Sequence, residues 1–319
     1  MNLDFKVVLP ILIAFGISVV LCPIVIPFLK KLKFGQFVRD DGPESHLKKS
    51  GTPTMGGLII LLSILITSLF YMKDYPEIIP ILFVTLGFGL IGFLDDYIKV
   101  VMKRSMGLRA WQKMLGQFVV TGIFAYYVEK YSDLNNELII PFIRKTVELN
   151  KGVYVFLLFF IVLGTVNGAN FTDGLDGLAS SVTALIATFF TVVAIGTGSG
   201  ISPVTCAAMG SLIGFLVYNV YPARVFMGDT GSLALGGFVA ATAYMLKMPL
   251  FIIIVAFIYF IEVLSVIIQV VSFKLTGKRV FKMAPIHHHF ELCGWPETKV
   301  VSIFAIITAM LCVVGLLAV

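Results

Sequence analysis

Ile78-Ile79-Pro80-Ile81-Leu82-Phe83-Val84-Thr85-Leu86-Gly87-Phe88-Gly89-Leu90-Ile91-Gly92-Phe93-Leu94-Asp95-Asp96-Tyr97-Ile98-Lys99 decides the fold. An almost unbroken apolar run ends abruptly in two adjacent carboxylates and a lysine. A helix crosses the hydrocarbon core with about 20 mostly apolar residues, and somewhat fewer suffice where the bilayer adapts. The run Ile78–Leu94 therefore reads as a membrane span whose polar end emerges at one surface. Nine further runs have the same character: Val7–Phe28, Met55–Tyr71, Trp111–Val128, Val153–Val166, Leu178–Ile195, Val204–Val220, Leu233–Leu246, Pro249–Phe273 and Val300–Val319. Those at Val153 and Leu233 are short, so their ends are expected to extend into the flanking loops.

Composition supports this reading. The 319 residues are 58% hydrophobic and 13% charged, with a mean hydropathy of +0.98. A soluble domain carries about 25% charged residues, so no soluble core would absorb this apolar excess. The expected class is an all-α polytopic membrane protein of about ten transmembrane helices, forming a single domain over residues 1–319. The first run is too long for a signal-peptide core and no small-residue cleavage site follows it, so it reads as a retained span. Cys22, Cys206 and Cys312 lie in apolar runs and Cys293 in a loop, which is neither a disulfide framework nor a zinc spacing.

The net charge of +6 points to topology and not to nucleic acid, because cytoplasmic loops retain Lys and Arg. Most of the 24 basic residues fall in the odd-numbered loops, among them Lys30, Lys31, Lys48, Lys49, Lys99, Lys113, Arg224, Lys278 and Arg279. Those loops are expected to be cytoplasmic and both termini extracytoplasmic.

The polar motifs follow the same division. Asp95-Asp96-x-x-Lys99, the run Asn167-Gly168-Ala169-Asn170-Phe171-Thr172-Asp173-Gly174-Leu175-Asp176-Gly177, the stretch from Asn219 through Phe226 to Gly228-Asp229-Thr230-Gly231, and Met283 to Glu291 all fall at odd loops. Five carboxylates thus face one compartment, in a cytoplasmic active-site cleft. On a continuing helix Lys99 lies one turn after Asp95 on the same face, which is also how an ordinary helix end with an internal ion pair looks. Gathered carboxylates repel unless a cation holds them, and oxygen-only ligands favour Mg²⁺, which completes its shell with substrate phosphates. Asp229, between glycines ahead of an apolar helix, suits a metal or phosphate site and equally a helix cap. Gly56-Gly57 is a second candidate phosphate cradle. His287-His288-His289, three of the four histidines, suit hydrogen bonds to phosphate better than a zinc site, since consecutive residues converge poorly on one tetrahedral ion. Phe226 reads as packing or as a base-stacking ring, Glu262 as a helix break or a buried polar contact, and His46 as a surface residue. A transporter, the alternative reading, would place its carboxylates near the midplane, whereas here nearly all sit at span ends. An intramembrane aspartyl protease would want two facing aspartates, typically with Gly-x-Gly-Asp, whereas Phe226-Met227-Gly228 precede Asp229, so both rivals are disfavoured.

Taken together, these residues resemble the phospho-N-acetylmuramoyl-pentapeptide transferase (MraY) family, within the wider group of polyprenyl-phosphate hexosamine-1-phosphate transferases. The aspartate motifs carry the wider likeness. Gly42-Pro43-Glu44-Ser45-His46-Leu47-Lys48-Lys49-Ser50-Gly51-Thr52-Pro53-Thr54-Met55-Gly56-Gly57 and the histidine triplet with Gly294-Trp295 carry the narrower one. The resemblance implies a homodimer in the bacterial cytoplasmic (inner) membrane. It implies transfer of a phospho-sugar from UDP-N-acetylmuramoyl-pentapeptide to undecaprenyl phosphate, with Mg²⁺. Asp229 resembles the metal ligand, and Asp95, Asp96, Asp229 and His287 the catalytic set. Phe226 resembles the uracil-stacking residue. Lys48, Lys99, Lys113, Asn167, Asn170, Asp173, Asp176, Asn219, His288 and His289 resemble further substrate contacts. A phosphate monoester is mostly a dianion near neutral pH, so direct in-line attack is favoured over a covalent phospho-Asp intermediate.

Overall fold

The computed structural model describes residues 5–31, 49, 51–102, 107–132 and 134–319, with side chains from Val8 onward. Each of the ten apolar runs holds a helix. In chain order they are α1 (Phe5–Lys31), α2 (Gly57–Leu69), α3 (Ile78–Val100), α4 (Ala110–Tyr131), α5 (Lys151–Thr172), α6 (Leu178–Gly196), α7 (Ser202–Asn219) and α8 (Gly228–Met245). The ninth run divides into a 3-10 turn (Pro249–Phe251), the short α9 (Ile252–Val255) and α10 (Phe257–Thr276); α11 (Ile286–Leu292) and α12 (Glu297–Ala318) follow. The two short runs extend as expected, α5 to Thr172 and α8 back to Gly228, so both carry polar motif residues at their ends.

Seven of these helices are long and apolar enough to cross a membrane by themselves: α1, α3, α5, α6, α7, α10 and α12. The other three differ for physical reasons. Helix α2 has only 13 residues. Helix α4 carries Gln112, Lys113, Gln117, Glu129 and Lys130. Helix α8 is rich in Gly, Ala, Ser and Thr, and every residue from Thr230 to Tyr244 is buried. Its composition answers to neighbouring helices and not to lipid, and small residues let helix backbones approach closely where apolar burial alone gives no drive to associate.

That approach is closest where α8 meets α3 and α2. A Cβ on Gly92 would lie 2.0 Å from the Asp229 carbonyl oxygen, and one on Gly57 would lie 2.2 Å from the Gly231 nitrogen. The loop ahead of α8 is also tied to the start of α2: Phe226 N donates to Pro53 O (2.8 Å), Gly56 N to Phe226 O (2.8 Å) and Gly57 N to Met227 O (2.9 Å). The N–H groups of Gly56 and Gly57 are thus spent on backbone carbonyls, so this pair is a packing device and not the phosphate cradle the sequence suggested. Some hydroxyls inside the bundle are satisfied by their own helix, as lipid surroundings favour, while those of Thr67, Ser68, Thr191 and Thr242 have no partner among the described residues. Thr85, Thr121 and Thr165 each donate to the carbonyl one turn back.

The all-α expectation needs one correction. Between α4 and α5 a two-stranded antiparallel hairpin forms, β1 (Glu137–Ile140) with β2 (Lys145–Glu148). It fastens the end of the bundle opposite the aspartates. Ile139 N donates to Lys247 O (2.7 Å), Phe142 N to Ala318 O (3.1 Å) and the Arg144 guanidinium to Leu317 O (3.1 Å), so it occupies carbonyls that the last turn of α12 would leave open.

Gly92→Ala forces backbone apart at the α3–α8 contact. It should cost about 1–3 kcal/mol or more, as overpacking does, read as a lowered thermal midpoint in detergent. Gly164→Ala on α5, where a new Cβ meets nothing within 4 Å, should leave the midpoint unchanged or raise it.

Candidate active site

The polar end of the bundle is built from helix termini. Asp95 and Asp96 stand in the last two turns of α3, Lys113 in the first turn of α4, Asn170 in the last turn of α5 and Asp229 in the first turn of α8. All five meet there with Lys99.

Asp96 sets the arrangement. Its side chain is buried, and its carboxylate accepts from the backbone N–H of Asp229 (3.2 Å) and of Thr230 (2.9 Å) and from the Thr230 hydroxyl (2.7 Å). A carboxylate at a helix N-terminus satisfies open N–H groups and meets the positive end of the helix dipole. The sequence left Asp229 open as the cap of this helix. In the structure Met227 is the N-cap residue and makes no side-chain cap bond; Asp96 does the capping from another helix, which frees the Asp229 carboxylate for the cleft.

Asp229 uses that freedom. Its Oδ2 takes Lys99 Nζ at 2.8 Å and Lys113 Nζ at 3.0 Å, and its Oδ1 takes the Asn170 amide at 2.8 Å. Lys99 also reaches Asp95 Oδ2 at 2.6 Å, the pairing expected from their spacing, and Leu108 N donates to Asp95 Oδ1 at 2.7 Å. The Asp95 and Asp229 carboxyls lie within hydrogen-bond reach of each other. Just beyond α5, burial and the carboxylates of Asp229, Asp96 and Asp176 push Asp173 well above the usual carboxylate range. No cage of three or more ligating side chains is present among the described residues. The donors suit a hard cation held by one or two carboxylates and completed by phosphate oxygens, because the position between Asp95 and Asp229 is already one that a positive charge, the Lys99 ammonium, occupies.

A second cluster stands beside the first. Lys49 Nζ bridges Asp176 Oδ1 (2.6 Å) and Glu297 Oε1 (2.5 Å), Glu297 accepts from the Asp176 backbone N–H (2.6 Å), and Asp176 Oδ2 accepts from Ala223 N (2.8 Å). These residues line a cleft of about 470 Å³ walled by Tyr221 and Trp295, within the size range of small-molecule sites. Sequence reasoning chose Lys48 and passed over Lys49 and Glu297. Lys48 and His46 lie outside the described residues. The one available signal for Lys49 was its place beside Lys48; Glu297 looks like any acidic residue opening a helix.

The remaining candidates divide. Phe226 is half-buried in the loop tied to Pro53 and does not line this cleft. Asn219 is buried and satisfied inside the fold, accepting from the Ser180 hydroxyl (2.7 Å) and donating to Val225 O (2.9 Å). Asn167 exchanges amide hydrogen bonds with Gln117 on α4 (2.8 and 3.3 Å), an inter-helix pair one turn further into the bundle than Lys113 and Asn170. The histidines open α11: His287 is buried against Glu262, His288 pairs with Glu291 (2.7 Å), and His289 accepts from Lys282 N (3.1 Å).

Comparison with known proteins agrees with this architecture. The profile of Glycosyl transferase family 4 matches residues 78–247, which hold all five motif carboxylates, and Phospho-N-acetylmuramoyl-pentapeptide-transferase signature 1 matches residues 49–61. The phospho-N-acetylmuramoyl-pentapeptide-transferase of Clostridium kluyveri is 52% identical over 316 residues, 98% of this chain and 99% of its own. That of Clostridium botulinum (strain Alaska E43) is 54% identical over 311 residues, covering 97% and 95%. That of Acetivibrio thermocellus is 51% identical over 325 residues, covering 100% and 98%. Identity of this level along the whole length, with a family signature on the segment that supplies Lys49 and Gly57, makes this chain a member of the phospho-N-acetylmuramoyl-pentapeptide-transferase family.

Proposed function

We propose that the protein transfers phospho-N-acetylmuramoyl-pentapeptide from its UDP-activated form to undecaprenyl phosphate, giving lipid I and UMP, the first membrane step of peptidoglycan synthesis. The observation that carries the reading is the convergence of Asp95, Asp96, Asp229, Lys99 and Lys113 at one end of a membrane bundle, beside a cleft of nucleoside size, in a member of this family. The loops at that end carry most of the Lys and Arg, which supports a cytoplasmic cleft with ten crossings and both termini outside. Family likeness supports a homodimer in the bacterial inner membrane.

In the reaction, an oxygen of the lipid phosphate attacks the sugar-side phosphorus of the diphosphate. The bond from that phosphorus to the bridging oxygen breaks, and UMP departs with that oxygen and the electron pair. Every carboxylate oxygen of Asp95 and Asp96 already has a partner in the fold, which supports direct displacement over a phospho-Asp intermediate. Lys99 and Lys113 offset negative charge that builds on the phosphates, from positions fixed before substrate arrives. Asp229, with Asp95 adjacent, would hold Mg²⁺, which when bound neutralises diphosphate charge. The Asp176–Lys49 cleft, walled by Tyr221 and Trp295, takes part of the nucleotide, and Phe226, outside that lining in the loop just before Asp229, stacks on the uracil.

UMP release from detergent-purified protein should require both undecaprenyl phosphate and Mg²⁺, and Asp229→Ala should lower it by about 10²–10³-fold or more, the cost of removing a key charge-stabilising group. UMP formed without the lipid acceptor would contradict the reaction. Phe226→Ala should raise KM for the nucleotide about 5–150-fold, the equivalent of roughly 1–3 kcal/mol for a base stack, while Phe226→Trp should keep it near wild type. Cys293 is exposed and the other three cysteines are buried. A membrane-impermeant maleimide should therefore label the protein in inside-out vesicles and leave it unlabelled in intact cells; the reverse pattern would invert the topology.

A further inference from the structure

Glu262 stands on α10, where its side chain is 0% exposed, and the chemistry above makes no use of it. Its Oε1 meets His287 Nδ1 at 3.0 Å, and His287 is itself only 1% exposed. The other two histidines of the triplet bond within their own segment, His288 to Glu291 and His289 to the Lys282 N–H. His287 reaches across to a spanning helix, α10, through this contact. The contact fixes the ring plane, with Nδ1 the edge that meets the Glu262 carboxyl.

The opposite edge of the ring completes the picture. His287 Nε2 is buried with no hydrogen-bond partner among the described residues, and so is Glu262 Oε2. A Cβ on Gly174 would fall 2.1 Å from that Nε2, so the ring edge rests on the glycine at the centre of Asp173-Gly174-Leu175-Asp176. This turn carries Asp173 towards the Asp229 carboxylates and Asp176 towards Lys49, Glu297 and the Ala223 N–H. A buried carboxylate with one unpaired oxygen is costly to retain; a similar-sized apolar residue would pack there with less penalty.

We propose that Glu262 is a positioning residue for the nucleotide donor: through His287 it sets the height and tilt of the 173–176 turn, and thereby the shape of the Lys49–Asp176 cleft. The inference rests on that cleft being the donor's site.

Steady-state kinetics of UMP release, with each substrate varied in turn, test it. Glu262→Leu keeps the volume and removes the acceptor. It should raise KM for UDP-N-acetylmuramoyl-pentapeptide by about tenfold or more, in line with the loss of one buried hydrogen bond to a charged group. KM for undecaprenyl phosphate should stay at the wild-type value. Glu262→Gln retains an acceptor for Nδ1 and should restore donor KM to within about threefold of wild type. In the double variant with His287→Ala, the Glu262→Leu effect should vanish, because a residue acting through His287 has nothing left to act on. Gly174→Ala perturbs the same contact from the other side without touching the buried carboxylate, and should give the same donor-selective rise; it carries the test if Glu262→Leu does not fold. Equal rises for both substrates, no rise, Gln as impaired as Leu, or additive effects with His287→Ala would each overturn the proposal. Wild-type protein that releases no UMP would overturn the donor reading itself, and the inference with it.

Discussion

The polar end of this bundle depends on one carboxylate, Asp96, set against the first turn of α8. Two N–H groups and a hydroxyl converge on it, and the helix dipole adds to them. The carboxyl tolerates burial because its oxygens are satisfied by groups that would otherwise be open themselves. Such a contact requires the backbones of α3 and α8 to come closer than side chains permit, which is why glycine stands at Gly92 and again where α2 crosses at Gly57. Once α8 is held there, Asp229 has one direction to face, towards Lys99, Lys113 and Asn170.

Two clusters follow from that placement, joined by the short turn after α5. One gathers carboxylates and ammonium groups and is suited to phosphate charge. The other, Lys49 with Asp176 and Glu297, borders an aromatic-walled cleft and is suited to recognition. The turn carries Asp173 at one end and Asp176 at the other, so it spans the interval between the two clusters. Catalysis by positioned charge needs this kind of stiffness, since misplacement by a fraction of the bond distances involved costs rate steeply.

Much of this was legible in the sequence. Each apolar run locates a helix, seven of them long and apolar enough to cross a membrane, and the spacing of Asp95 and Lys99 anticipates their ion pair. What escaped was whatever depends on tertiary approach. Asp96 capping α8 cannot be read locally, because cap and helix are separated by 133 positions. Nothing local in the sequence marks Lys49 for its contact with Asp176 and Glu297. Asn167 and Asn219 carry amides that suggest ligands, yet the structure spends both on neighbouring residues. The hairpin at Glu137–Glu148 lies between apolar runs and so outside what hydropathy locates, although Leu138-Ile139-Ile140 and Thr146-Val147 have the residues strands favour. Glu262 is the converse case: reading it as a buried polar contact was sound, while the backbone break sits upstream at Ala256.

The Lys49–Asp176–Glu297 clasp also has a bearing on biosynthesis. Its three members come from the segment after α1, the turn after α5 and the start of the last helix, so the clasp joins early, middle and late parts of the chain. While the chain is being inserted, Asp176 waits without its Glu297 partner until nearly all the spans have been made. The carboxylate cluster, drawn from α3, α4, α5 and α8, can assemble earlier. In order of synthesis every group of the carboxylate cluster precedes Glu297, so a chain stalled before α12 would carry that cluster without the completed clasp.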